Sequence, residues 1–112
     1  MNIHRGEVWT VDFGEPIGRE QAGRRPAVVV SADPLNASRA EVVIVVPCTT
    51  VRRDLPSHVE LEPKTSGLKT VSYAKCEDVK SVSTERLVRR LGVAGDDELF
   101  ALGRVLRFLL DL

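Results

Sequence analysis

Aromatic rings are scarce in this chain, at 4% of residues, with one tryptophan, one tyrosine and three phenylalanines. A surface that stacks on planar ligands therefore has few platforms to use. Cysteine is limited to Cys48 and Cys76. Both fall inside expected strands and match no CxxC or zinc-ligand spacing, so they read as reduced, partly buried small hydrophobes rather than a disulfide scaffold. Histidine is limited to His4 and His58. No HxxH, no paired aspartates near a glycine turn and no cysteine-histidine cluster occurs, so neither metal nor cofactor is expected. An excess of one charge is missing too, with 16 Lys and Arg against 16 Asp and Glu. Bulk charge thus gives no argument for nucleic acid, and any anion site must be local. No apolar run approaches the ~20 residues that span a bilayer, and no basic segment followed by a hydrophobic stretch opens the chain. The expectation is a cytoplasmic protein with no membrane partner.

What is present suffices for one core. The 112 residues, 43% hydrophobic, read as a single domain, 1–112, without internal repeats or low-complexity segments. Glu7 to Phe13 sets Trp9, Val11 and Phe13 against Thr10 and Asp12, the period-two pattern of a half-buried strand. Pro26 to Ala32 and Val42 to Thr49 are too apolar to be one-sided and read as central strands, separated by an Asp33-Pro34-Leu35-Asn36 turn. His58 to Glu62 and Thr70 to Cys76 alternate as further antiparallel strands, and Ser83 is placed to cap a short helical turn before Leu91-Gly92-Val93. The C-terminal stretch changes period: Leu99, Leu102, Leu106 and Leu109 recur at helical spacing, with Val105, Phe108 and Leu112 widening the stripe. Asp96, Asp97 and Glu98 crowd its start and Arg104 and Arg107 follow, an order that suits the helix macrodipole. The stripe is expected to dock on the sheet, Phe100 and Phe108 with it, just as Trp9 and Phe13 are expected in the core. The alternative is that part of it packs against a second subunit.

Two segments carry polar chemistry. Gly14 to Arg24, with Pro16 and glycines at 14, 18 and 23, is longer than the ~4 to 6 residues typical of connections and reads as a lid or binding loop. Val46-Pro47-Cys48-Thr49-Thr50 sets two hydroxyls at the mouth of a β run. Together they offer the Glu20 carboxylate, the guanidiniums of Arg19, Arg24 and Arg25, and two threonines, a set suited to holding a phosphodiester. Each also has a plain alternative. Arg25 would serve as a surface arginine, Thr49 as a residue that suits a sheet, and Glu20 as a loop carboxylate pairing with Arg19 or Arg24 at little energetic consequence.

The runs Gly6-Glu7-Val8-Trp9, Glu20-Gln21-Ala22-Gly23-Arg24-Arg25-Pro26-Ala27-Val28-Val29 and Val46-Pro47-Cys48-Thr49-Thr50 resemble the MazF/PemK toxins, the toxin halves of type II toxin-antitoxin pairs. The likeness continues through Leu55-Pro56-Ser57-His58-Val59 and Glu77-Asp78-Val79-Lys80-Ser81-Val82 to the final helix, and so covers essentially the whole chain. It implies an α+β, mainly β fold: a small, strongly bent antiparallel sheet resembling an SH3-like barrel, with a C-terminal amphipathic helix, usually as a homodimer. It implies metal-free cleavage of single-stranded RNA at short sequences. A ribose 2′-hydroxyl attacks the neighbouring phosphate and leaves a 2′,3′-cyclic phosphate and a 5′-hydroxyl. It also implies a cognate antitoxin whose acidic, disordered segment lies across the basic site and folds on binding.

Under that resemblance Arg25 matches the family's catalytic arginine, and its planar guanidinium suits a clamp on phosphate oxygens. Thr49 matches the active-site threonine. Glu20 matches a carboxylate proposed as base, although an ordinary glutamate near ~4.3 needs proximity or burial to serve at neutral pH. The general acid is not readable, because Arg25 keeps its proton at any ordinary pH. RNA contacts are expected from Arg19, Gln21, Arg24, Arg52, Arg53, Pro56, Ser57 and His58, with His58 either lining the RNA path or packing on the sheet edge. A second class of function stays open: a non-catalytic binder like the CcdB toxins, which share the barrel and poison gyrase. The Glu20, Arg25 and Thr49 constellation, which a binder has no need of, weighs toward the nuclease.

Overall fold

The computed structural model describes residues 2–15, 18 and 22–112. Seven strands form one antiparallel sheet: β1 (Glu7–Asp12), β2 (Arg24–Val29), β3 (Val42–Thr49), β4 (His58–Leu61), β5 (Ser72–Lys75), β6 (Lys80–Ser83) and β7 (Leu87–Val93). A one-turn helix α1 (Asp33–Asn36) links β2 to β3, and a long helix α2 (Asp96–Leu110) ends the fold. The strand path runs β4, β5, β3, β2, β1, β7, and its two ends do not pair, so the barrel-like sheet stays open.

β3 organises this arrangement. Its eight residues pair with β2 along one edge, while the other edge is divided: residues 42–45 meet β6, and Cys48 and Thr49 meet β5. A strand flanked on both edges and buried on both faces needs the uninterrupted valine run that the sequence supplies. One face of β1, β2 and β3 carries Trp9, Val11, Phe13, Ala27, Val29, Val43 and Val45 into one core cluster, which Val82 and Leu87 complete. The other face carries Val8, Val28, Val46 and Cys48 into a second cluster with Leu61, Ala74, Cys76 and Leu102. Both cysteines are free and buried, and loss of solvation pushes each thiol up to about 12, which leaves them unreactive.

Several expectations are sharpened. The 33–36 turn is a turn of helix, held by Asn36: its Nδ2 donates to the Ser31 carbonyl at 3.0 Å and its Oδ1 accepts from the Ser31 hydroxyl, which in turn accepts from the Ile44 N–H at 3.0 Å. Ser83 does cap a short turn, its Oγ accepting from the Glu85 N–H at 3.2 Å, but β6 precedes that turn and β7 follows it, two strands that the sequence pattern did not reveal.

Helix α2 requires a correction. Leu102 is fully buried, and Leu99, Ala101, Val105 and Leu106 pack beside it. Phe100 and Phe108, expected in the core, are 70% and 80% exposed, and Leu110 and Leu112 also face solvent. Geometry explains it: at about 100° per residue Phe100 stands roughly 160° from Leu102, and Phe108 roughly 120°. The helix packs chiefly on β4 and the short turn Cys76–Asp78, and its later turns extend beyond that support. Its start is fixed instead by Glu98, whose Oε1 accepts from the Gly95 N–H at 2.8 Å and whose Oε2 accepts from the Glu62 N–H at 2.7 Å.

Candidate active site

Arg25 lies on β2 itself, not in the preceding loop. It stands opposite Val11 of β1, exposed at the start of the strand. The β2–β3 register pairs Ala27 with Pro47, and carried on by two residues it sets Arg25 level with Thr49. Alternation puts both on the face that holds Ala27, Val29, Val43 and Val45. Side chains so opposed have Cβ atoms about 5 Å apart, a span that one phosphate bridges. Each is left able to donate. Thr49 Oγ1 accepts the Val51 N–H at 3.2 Å, which leaves its proton for a ligand. Arg25 bonds through Nε to the Ala22 carbonyl at 3.3 Å, and among the described residues its two terminal nitrogens have no partner.

The loop that leads to Arg25 is pinned at its base. Phe13 N–H donates to the Gly23 carbonyl at 2.9 Å, Gly23 N–H returns to Gly14 at 2.8 Å, and Asp12 Oδ1 accepts the Gly14 N–H at 2.9 Å. Gly14 and Gly23 take φ values of +75° and +69°, which glycine adopts without strain. Arg19, Glu20 and Gln21 lie outside the described residues.

The expected RNA contacts among the described residues take four settings, of which those of Arg52 and His58 border one shallow hollow. Arg24 follows alternation to the opposite face from Arg25. Arg52 and Arg53 are exposed just after Thr49. Arg52 Nε is 2.8 Å from Asp54 Oδ1, and that hydrogen bond and charge raise its pKa. Pro56 and Ser57 line an apolar groove against Arg104, Val105 and Phe108 of α2. His58 is packed rather than presented: its side chain is 3% exposed and Nε2 sits 2.9 Å from Glu77 Oε2. Burial alone would raise the Glu77 pKa. The hydrogen bonds from His58, its own backbone N–H and Ser57, with the charge of His58, outweigh burial and hold it low.

One polar centre escaped the sequence reading. Glu7, 7% exposed, accepts from the His4 N–H at 2.9 Å, the Trp9 indole at 3.1 Å and Arg90 Nε at 2.9 Å. Burial pushes its carboxyl up, but these three donors and the Arg90 charge prevail and keep its pKa below the usual glutamate value. The signal was available in the sequence, since Glu7 is two residues from Trp9 on the same side of a strand and a buried indole needs an acceptor. Among the described residues no three His, Cys, Asp or Glu side chains are grouped to hold a metal ion.

An open antiparallel sheet followed by a C-terminal helix is the fold of a known class of small toxins, and here it sets an exposed arginine and a half-buried threonine at neighbouring ends of two paired central strands. The fold matches that of MazF from Deinococcus radiodurans with a TM-score of 0.84 at 26% identity, over 100% of this chain and 99% of that one. It also matches a MazE–MazF structure from the same organism at 0.81 and 26% identity, over 100% and 98%. The chain belongs to the family described as PemK-like, MazF-like toxins of type II toxin-antitoxin systems, whose sequence profile matches residues 4–110. Its similar relatives include the endoribonuclease MazF9 of Mycobacterium tuberculosis, 39% identical over 98% of both chains. The endoribonuclease EndoA of Bacillus subtilis is 27% identical over 100% of this chain and 97% of its own.

Proposed function

We propose that this toxin is an endoribonuclease that cuts single-stranded RNA at a short sequence without a metal, and that Arg25 and Thr49 act on the scissile phosphate. The observation that carries the reading is the shared level and shared face of these two side chains, with donors to spare. In the reaction the ribose 2′-hydroxyl loses its proton to a base, and its oxygen attacks the adjacent phosphorus. The P–O5′ bond breaks, and the departing oxygen takes up a proton, so the products end in a 2′,3′-cyclic phosphate and a 5′-hydroxyl. The Arg25 guanidinium stabilises charge as it builds on the non-bridging oxygens, and the Thr49 hydroxyl orients the group by a neutral hydrogen bond. Glu20 is the proposed base. Charge supplied by Arg25 leaves no step that calls for a metal.

The relatives named as endoribonucleases weigh against a toxin that only binds gyrase. An antitoxin partner is proposed because the similar MazF fold is also described as a MazE–MazF structure. A homodimer is proposed on the bare apolar surface of α2, where Phe108 and Leu112 stand exposed beside the groove.

The test is incubation of the protein with a long single-stranded RNA, with and without EDTA, beside an Arg25→Ala control. Discrete cuts with 5′-hydroxyl ends that survive chelator and vanish in the variant are expected. Unchanged cutting by the variant removes Arg25 from the mechanism, and cutting abolished by EDTA removes the metal-free reading.

A further inference from the structure

Behind the candidate active site, on the other face of the same strands, lies a cavity of about 490 Å³ that the mechanism above does not use. Arg24 and Thr50 line it, the immediate neighbours of Arg25 and Thr49, so alternation turns one pair to each side of the sheet. Lys69 and Arg89 add two more cations, and Thr10, Thr70 and Ser72 three more hydroxyls. Among the described residues no carboxylate lines this space, and none of the three cations takes part in an ion pair. Asp12, level with Arg24 across the β1–β2 pair, directs Oδ1 to the Gly14 N–H instead. In a chain of balanced charge, three cations that converge on one cavity and have no ion-pair partner among the described residues are a local concentration of positive potential.

The walls are rigid where rigidity matters. Arg89 and Thr10 are register partners on β7 and β1. The loop that presents Lys69 and Thr70 is pressed on β7 at two glycines. A Cβ on Gly67 would stand 2.0 Å from the Leu91 carbonyl oxygen, and one on Gly92 would stand 2.2 Å from that of Thr65. Val88 and Leu91 give the cavity an apolar side as well, which a carboxylate ligand has no use for but a ribose or base would cover.

We propose that this cavity binds nucleotide phosphate, and that its occupant is the substrate strand beyond the cleaved bond, which passes over the ends of β2 and β3 from Arg25 to Arg24. The proposal rests on the RNA-cleaving reading. It makes Lys69 and Arg89 affinity residues that touch no reacting atom.

The experiment titrates the full chain with a 2′-O-methylated RNA oligonucleotide longer than the cleavage sequence, across a range of salt, for wild type, Lys69→Gln, Arg89→Gln and the double variant. AMP and polyglutamate are parallel probes. The expected result is weaker oligonucleotide binding, with the salt slope reduced by about 1 for each cation removed. Lys69 is exposed on a loop, so Lys69→Gln keeps the test alive if the β7 variant fails to fold. A wild type that cuts RNA while the double variant binds it with unchanged affinity and slope overturns the cavity and spares the cleavage reading. AMP binding that depends on Lys69 and Arg89, with RNA affinity unmoved, overturns the strand assignment in favour of free nucleotide. Polyglutamate bound more tightly than RNA, again through these two residues, overturns it in favour of an acidic peptide. Loss of the cleavage reading shows separately, as RNA left uncut by the wild type.

Discussion

Arg25 and Arg90 flank β1 from opposite sides, one on β2 and one on β7, and the same side chain is used in opposite ways. Arg90 is 48% exposed, and its guanidinium is tied at 2.9 Å to a carboxylate that also holds an indole and a backbone N–H. Arg25 is exposed at a strand end and, among the described residues, has one long bond to a loop carbonyl. A guanidinium that is already satisfied stabilises the fold and has little left for a ligand. One that is left unsatisfied contributes little to the fold and keeps its donors in reserve. Partner count, rather than residue type, separates the two roles.

The sharpest way to break this contrast is Arg25→Ala. Removal of one preorganised charge donor is expected to slow RNA cleavage by about 10²- to 10³-fold, with thermal unfolding unmoved. A variant that unfolds early would show that Arg25 belongs with Arg90. The converse is Glu7→Ala, which strips Arg90 and buries the Trp9 indole without an acceptor. It should cost about 1 to 3 kcal/mol of stability in denaturant titration, while the protein that remains folded cuts RNA normally. Thr49→Val removes the hydroxyl proposed to orient the phosphate, together with the acceptor of the Val51 N–H, and is expected to lower the cleavage rate about tenfold while stability falls by no more than about 1 kcal/mol.

Acid tests the same centre more gently. The folded carboxyl of Glu7 sits below its ordinary value of 4.5, so the native state holds fewer protons than the unfolded chain in that range. Its stabilisation is complete above that value and fades as the pH falls below it. In Glu7→Gln the slope of stability against pH in this window should flatten, which unfolding curves measured across it would register. The smallest effect belongs to Arg52→Ala. Its pair with Asp54 is exposed on both sides, and the unfolding midpoint should stay at the wild-type value.

Local pattern made much of this legible in advance. The alternation of Trp9, Val11 and Phe13 and the valine run of β3 report burial directly, because a pleated strand has a fixed period. Arg25 and Thr49 were legible as residues through the family likeness, but their common level is a property of the β2–β3 register, which no single segment contains. β6 and β7 were not legible, for a related reason. The β7 segment has Val88, Arg89 and Arg90 exposed, and the shifts in its register with β1 break the alternation. Phe100 and Phe108 misled because a hydrophobic residue near an apolar stripe is not always part of it. Angle around the helix decides, and so does the length of sheet beneath.

The pairing of β1 with β7 also sets a schedule. Glu7 and Arg90 are separated by 83 residues, and at a synthesis rate of about 5 to 20 residues per second the first waits some 4 to 17 s for the second. Until then β1 has one open edge and Glu7 has no guanidinium, so a nascent or truncated chain lacks the strand that completes its first. Contacts of such long range slow folding in the finished chain as well. For a toxin of this family, a competent fold thus comes only once β7 has been made.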